Sequence, residues 1–155
     1  MSNYIDYRDL ADDIHLRIKS KAPSFQFAKF CANPMEEKPS KFPAVLTYWE
    51  NTETVSEPRY IAQRIDLRRR VTLVSMISVK QSNKDEAFNS LMSLILELKS
   101  ALLGYQPIVQ NARNTWPIFP LNEEYIEISG GELRAILVWA IDIQEITEVD
   151  SETFS

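Results

Sequence analysis

Apolar residues recur at spacings of three and four in two segments of the chain, as they do on the buried side of an amphipathic helix. The first segment runs from Asp6 to Lys21, and Asp6 is a suitable N-cap. The second runs from Lys84 to Leu103, with Asn83 as a suitable N-cap and Gly104 as a left-handed stop. The apolar stripe of this second predicted helix consists of Ala87, Phe88, Leu91, Leu94, Ile95, Leu98 and Leu102.

Other segments alternate apolar and polar residues with a period of two, which is the pattern of a strand with one buried face. We predict short strands over Phe25 to Phe30 and over Ala44 to Asn51, and a long strand over Arg59 to Lys80. In the long segment the odd positions are mostly apolar, but Arg69 and Ser75 interrupt the series. We therefore expect a bulge or bend near Arg69.

The end of the chain has the pattern of a β-hairpin. Alternation begins at Glu124 and reaches the pair Gly130–Gly131, which permits a tight turn. The strand that follows bears an apolar side chain at every second position from Leu133 to Ile143. Trp139 belongs to this series and is expected in the core.

Together these elements predict an α+β fold, in which a mainly antiparallel sheet carries two helices on one face and ends in a C-terminal β-hairpin. A length of 155 residues and a hydrophobic content of 45% suit one globular domain. We place this domain at residues 1–146 and interpret residues 147–155 as an acidic, flexible tail.

Composition excludes several classes of function. With only three glycines the chain has neither a phosphate-binding loop nor a dinucleotide-binding turn. A net charge of −5 disfavours a protein that grips nucleic acid through its phosphates. The apolar runs are far too short to span a membrane, and the first residues lack the features of a secretory signal, so we expect a cytoplasmic setting.

Catalytic and metal-binding residues are also not indicated. His15 is the sole histidine and Cys31 the sole cysteine, so zinc sites built from these residue types are excluded. We interpret His15 as a surface or boundary residue and Cys31 as a small buried hydrophobe. Acidic residues occur as adjacent pairs such as Asp12–Asp13, whose members point to different sides and make poor acid–base sets. We expect no enzyme activity, no cofactor and no metal.

Two features suggest contacts with other proteins. On a strand, Arg68 and Arg70 share one face and Arg69 points to the other. This cluster is either an exposed strand end or a surface that binds carboxylates or phosphates. Trp116 lies in the long Tyr105–Pro120 connection, and it is either an exposed interface anchor or a buried loop residue.

The end of the second predicted helix, Leu98-Lys99-Ser100-Ala101-Leu102-Leu103-Gly104-Tyr105-Gln106-Pro107, resembles a signature of bacteriophage tail-terminator (tail-completion) proteins of the Mu-like prophage type. In that family a variable loop and a C-terminal hairpin follow the helix. The same order is found here, and the resemblance covers most of the chain. Tyr105 stands where the family more often has tryptophan, and the loop from Ile108 to Leu121 is longer than usual.

The resemblance implies a structural protein of the virion tail, assembled in the cytoplasm of the host bacterium. Members form a homohexameric ring on the last ring of the tail tube, end its polymerisation and present a surface for joining to the head. The implied partners are other copies of the chain, the tube protein and a head–neck protein, with DNA only passing through the lumen. The expected contact residues are Arg68, Arg69, Arg70, Tyr105 and Trp116.

Two alternatives remain open at this point. A ring protein of the head–tail neck would share the same properties but would bind portal-side proteins. A small-molecule-binding α+β domain would instead have a pocket with convergent polar groups beneath the Tyr105–Pro120 connection.

Overall fold

The computed structural model describes residues 4–109, 114–128 and 131–149. Helix α1 spans Tyr7–Lys21 and helix α2 spans Lys84–Leu102. The Asp6 carboxylate accepts a hydrogen bond from the backbone N–H of Arg8 at 2.9 Å, which caps α1. The Asn83 side chain accepts from two N–H groups in the first turn of α2, and Gly104 follows the helix with φ of +76°. Both predicted helices and their caps are confirmed.

Six strands form one sheet, which confirms the predicted α+β class and the C-terminal hairpin. The strand order is β1-β2-β4-β6-β5, and all neighbours are antiparallel except β1 and β2. The short strand β3 pairs with the part of β4 that extends past β2. The strands are β1 (Phe27–Phe30), β2 (Ala44–Thr54), β3 (Arg59–Ile61), β4 (Arg64–Lys80), β5 (Phe119–Ile128) and β6 (Glu132–Glu148).

The central pair of strands is regular over its whole length, contrary to the bend that the sequence predicts near Arg69. Strands β4 and β6 each have 17 residues and pair without interruption from Arg64–Glu148 to Lys80–Glu132. Because β6 pairs with every residue of β4 in one unbroken register, β4 has no bulge on this side. The irregularity lies on the other side of β4, in β2 between Trp49 and Asn51.

Several predicted strand boundaries also change. Strand β1 begins at Phe27 and not at Phe25, and β5 begins at Phe119, before the predicted start of alternation at Glu124. The segment predicted as one strand from Arg59 is a hairpin, since a turn with Ala62 at φ of 54° separates β3 from β4. Strand β2 continues past the predicted end at Asn51, because its last residues pair with β4. Strand β6 pairs with β4 as far as Glu148, beyond the boundary predicted at residue 146. Residues 129–130 of the predicted turn and 150–155 of the predicted tail lie outside the described residues.

The core lies between the helices and one face of the sheet. Residues opposite each other on neighbouring strands share a face, so the odd-numbered residues of β4 and β6 form the helix-bearing face. Ser75 interrupts the apolar series on this face because its buried hydroxyl is hydrogen-bonded to Thr47 at 3.2 Å. The other face of the sheet is called the open face below. Core residues include Leu10, Ile14, Ile18, Leu73, Ile77, Leu91, Leu98, Leu137, Trp139 and Ile141.

One member of the predicted stripe of α2 is misplaced. Phe88 is 54% exposed, whereas Ala101, which the stripe omitted, is 1% exposed. The spacing of three and four alone admits a residue on either border of the apolar stripe. The position of the sheet decides which border is covered.

Candidate protein-contact surface

A buried carboxylate gathers two arginines on the open face of the sheet. Asp142 is 3% exposed and lies directly opposite Arg70 in the β4–β6 register. Its two carboxylate oxygens accept hydrogen bonds from Arg70 Nε and Arg68 Nη2, both at 2.9 Å. Arg68 and Arg70 share a face, as the strand period predicts, and both guanidinium groups converge on Asp142.

These contacts keep the carboxylate charged. Burial raises the pKa of Asp142, but the hydrogen bond and charge of Arg70, together with the charge of Arg68, lower it further, so the net pKa lies below its ordinary value. The same hydrogen bond raises the pKa of Arg70 above its ordinary value. The three groups therefore form a charged network that is satisfied internally.

Two aromatic rings cover this network. The guanidinium carbon of Arg68 lies 4.5 Å from the centre of the Trp116 ring, and that of Arg70 lies 4.9 Å from the centre of the Phe119 ring. Arginine commonly stacks on aromatic faces in this way. We call Arg68, Arg70, Trp116, Phe119 and Asp142 the arginine–aromatic cluster.

Backbone hydrogen bonds hold the aromatic residues in place. The N–H of Trp116 donates to the carbonyl of Asp142 at 2.9 Å, and the N–H of Gln144 donates to the carbonyl of Asn114 at 2.8 Å. Thr115 forms an isolated β-bridge with Ile143. The end of the long connection thus continues the pairing between β5 and β6, which its irregular sequence pattern does not predict.

Arg69 does not belong to the cluster, because it points to the helix-bearing face. Its Nη1 contacts Glu145 at 3.3 Å, and the same carboxylate accepts a hydrogen bond from the N–H of Ile5 at 3.3 Å. Ile5 lies just before α1. Arg69 therefore helps to attach the segment that precedes α1 to the sheet.

Tyr105 is also separate from the cluster. Its hydroxyl donates to Asp13 Oδ2 at 2.7 Å, and the Arg17 guanidinium carbon lies 4.5 Å from its ring centre. Burial, then the hydrogen bond to Asp13 and its charge, raises the pKa of Tyr105 to about 12. The Asp13 carboxylate also accepts from the N–H of Ile108 at 3.2 Å. Tyr105 thus fixes the start of the connection to α1.

The long connection packs against the protein through its own side chains. Pro107, Val109, Thr115 and Ile118 are buried, and Val109 and Ile118 belong to the hydrophobic core. Residues 110–113 lie outside the described residues. These side chains occupy space beneath the described parts of the connection, where the small-molecule hypothesis places a pocket.

A cleft opens beside the cluster instead. It has a volume of about 250 Å³ and is lined by Arg59, Asp66, Arg68, Trp116 and Gln144, with Ser56 and Leu67. Arg59 is exposed and makes no ion pair within the described parts of the chain. The cleft therefore offers one unpaired guanidinium next to an aromatic ring, a combination that suits an acidic or aromatic side chain of another protein.

Cys31 and His15 have the burial that the sequence predicts. Cys31 is buried, and burial raises the pKa of its thiol. His15 is half-buried, and burial, together with the charge of Lys19, lowers its pKa. Within residues 4–109, 114–128 and 131–149, no group of three or more metal-binding side chains comes together. In the same residues neither helix is long and apolar enough to cross a membrane.

Sequence reasoning missed two members of the cluster. Asp142 is the only charged residue in the run from Ala135 to Ile143, and a lone carboxylate in such a run is a signal that it has a buried partner. Phe119 has no comparable signal, because only the β5–β6 register places it on the open face, opposite Ala140.

The fold defines an α+β class of protein with two helices on one face of a six-stranded, mostly antiparallel sheet. A chain of a solved structure described as "Virion of native gene transfer agent (GTA) particle" has a similar fold, with a TM-score of 0.56 and 10% sequence identity. The match covers 92% of this chain and 99% of that chain. No protein-family model matches this sequence, and no curated protein matches it.

Proposed function

We propose that this protein is a structural component of a phage virion tail, where it forms a homohexameric ring that caps the tail tube. The ring ends tube polymerisation and provides the surface to which the head joins. The observation that carries this proposal is the shared fold with a chain of a gene transfer agent virion, which extends over nearly the whole of both chains. The tail-terminator role itself rests on the resemblance of the helix end from Leu98 to Pro107.

The dimensions of such a ring suit the passage of DNA. A globular chain of 155 residues has a radius of gyration of about 15 Å, which corresponds to a sphere about 39 Å across. Six touching spheres leave a central opening about as wide as one sphere. With a net charge of −5 per subunit, the ring repels the phosphates of passing DNA and does not bind them.

We assign the contact with the tube or the head–neck protein to the cleft beside the arginine–aromatic cluster. Arg59 has no ion-pair partner among the residues that the structure describes, and Arg68 and Trp116 line the cleft. Asp142 holds Arg68 in place, so the surface is pre-organised before a partner arrives. Arg69 and Tyr105 support this assignment indirectly, because they attach α1 to the elements that carry the cleft.

The experiment mixes the purified protein with isolated tail tubes and examines the tubes by electron microscopy. We expect six-fold rings at one end of the tube and no further growth when tube protein is added. Trp116→Ala should weaken capping at least tenfold, the usual effect of losing an interface anchor. Tyr4→Ala removes a more exposed aromatic ring that does not line the cleft, and it should cap normally.

Two results would contradict the proposal. A protein that stays monomeric and leaves tube length unaltered is not a tail terminator. A ring that ignores the tube but binds portal-side proteins belongs to the head–tail neck, which is the second candidate because the similar structure is described only as a whole virion.

A further inference from the structure

The two edges of the sheet have no strand partner within the described residues. Strand β5 forms one edge and β1 the other. Strand β5 has ten residues and exposes three large apolar side chains: Leu121 at 47%, Tyr125 at 57% and Ile126 at 40%. Edge strands of this length with exposed apolar side chains pair readily with another chain unless they are protected.

Two ion pairs link helix α2 to β5. Lys84 forms an ion pair with Glu127 at 2.8 Å, and Lys99 forms one with Glu123. Both pairs lie on the helix-bearing face, and Tyr125 lies between them on the same face. Glu124 points to the open face and has no ion-pair partner among the described residues. The edge thus presents one aromatic ring on one face and one unpaired carboxylate on the other.

The opposite edge has a cleft on the corresponding face. This cleft has a volume of about 330 Å³ and lies between the end of α1 and β1. Its lining combines apolar and polar surface, with Lys19 on α1 as its charged member: Lys19, Ala22, Pro23, Phe25, Gln26, Phe27 and Ala28. Ala28 packs against the core beneath the helices, so the cleft opens on the helix-bearing face, the face on which β5 carries Tyr125.

The two edges carry opposite charge. The ten residues of β5 contain three glutamates and no cation, whereas residues 19–30 contain Lys19, Lys21 and Lys29 and no anion. Pairing β5 with β5 of another copy places glutamates side by side, which is destabilising. Pairing β5 with β1 of another copy places glutamates beside lysines.

The strand directions also suit this pairing. Strand β1 is parallel to β2, and β2, β4, β6 and β5 alternate in direction, so β5 runs opposite to β1. When copies are related by rotation about an axis along the strands, β5 meets β1 antiparallel. Each copy then uses a different edge for each neighbour, and such a heterologous contact closes into a ring when the rotation between neighbouring copies divides a full turn.

We propose that β5 of one copy adds to the β1 edge of a second copy. Tyr125 then enters the cleft between α1 and β1, and Glu124 faces Lys29 on the open face, since Lys29 lies opposite Leu46 in the β1–β2 register. Lys29 is paired with Glu37 of its own chain at 2.6 Å, so Glu124 joins this pair as a second carboxylate on the same ammonium group. This contact is the subunit interface of the proposed ring, and the inference rests on that proposal for its closure.

The test measures assembly by sedimentation and native mass spectrometry over a range of protein concentrations. Tyr125→Lys should raise the concentration for half-assembly about tenfold or more, as loss of an anchoring aromatic residue does. Ile108→Lys makes the same kind of change at a residue that is 66% exposed and lies away from both edges, and it should leave assembly unaltered. Thermal unfolding of each variant checks that the fold is retained.

A charge exchange tests the pairing itself. Glu124→Lys and Lys29→Glu should each weaken assembly, and the variant with both changes should recover most of it. The edge pairing is wrong if Tyr125→Lys assembles like the unaltered protein, or if the double variant assembles no more strongly than the single variants. Either result leaves the proposed ring itself uncontradicted. If the unaltered protein never assembles, the ring and this interface fail together.

Discussion

Asp142 is the residue on which the arginine–aromatic cluster depends. It is almost fully buried, and the two guanidinium groups that neutralise it are also those that stack on Trp116 and Phe119. A buried carboxylate without such partners would be strongly destabilising. The cluster therefore links the fold of the sheet to the surface that we assign to partner binding.

We expect Asp142→Asn to lower the free energy of unfolding by about 2 kcal/mol at neutral pH. The estimate lies below the range for fully buried pairs because the side chains of Arg68 and Arg70 are 45% and 32% exposed. Urea unfolding measures it. Glu127→Gln, which removes an exposed ion pair with Lys84, is the control and should have little effect.

The difference in unfolding free energy between the unaltered protein and Asp142→Asn should depend on pH in a definite direction. The folded-state pKa of Asp142 lies below its ordinary value of about 3.9, so its contribution is complete above that value. It is lost as the pH falls through the folded-state pKa. The difference between the unaltered protein and Asp142→Asn should therefore shrink below about pH 4. A difference that stays constant down to low pH would show that the charge of Asp142 is not what stabilises the fold.

At the scale of an element, α2 shows that the position of a side chain around the helix axis determines how much it contributes to the stability of the fold. Leu91 and Phe88 both belong to the stripe predicted from the spacing, yet Leu91 is 2% exposed and Phe88 is 54% exposed. Burial, and not membership of the pattern, sets the cost of removing a side chain.

Leu91→Ala should therefore lower the free energy of unfolding by about 2–5 kcal/mol. Phe88→Ala, one turn earlier on the same helix, should change it by less than about 0.5 kcal/mol. Denaturant midpoints with unchanged slopes measure both effects. If Phe88→Ala lowers the free energy of unfolding as much as Leu91→Ala does, the side of α2 that packs against the sheet is not the one that the structure shows.

For the whole molecule, the uneven distribution of charge between the two sheet edges matters more than the total charge. The net charge of −5 conceals a basic segment at residues 19–30 and an acidic edge at β5. Such edges attract each other between copies, and salt weakens that attraction because the Debye length falls from about 10 Å at 0.1 M to about 3 Å at 1 M.

Assembly of the proposed ring should accordingly weaken as the salt concentration rises. Sedimentation velocity at a fixed protein concentration measures it, and urea unfolding over the same salt range shows whether folding is affected. Assembly that strengthens with salt would point to an interface formed by apolar surfaces alone.

Much of the fold follows from local patterns. The caps Asp6 and Asn83 and the alternation in β6 are signals contained in a few neighbouring residues, and the structure confirms them. The bend near Arg69 was wrong because a polar residue in an alternating series looks like a shift of register. Arg69 in fact keeps its register and forms an ion pair with Glu145.

The candidate surface was predictable only in part, for the same reason. Arg68 and Arg70 share a face because the strand period is two, and that needs no tertiary information. The stacking of Arg68 on Trp116 depends on the return to the β6 edge of a segment that lies 48 residues further along the chain.

The amino-acid sequence by itself determined both helices and the type of most strands, because caps, turns and periodicity act over a few residues, but it did not determine the number of strands, since the predicted strand from Arg59 to Lys80 is in fact two. It also determined which side chains share a face of a strand. The tertiary structure alone decided which border of α2 is covered, which carboxylate neutralises the arginines and which strands form the edges of the sheet. Those outcomes depend on contacts between residues far apart in the chain, whose burial and register exist only once the sheet has assembled.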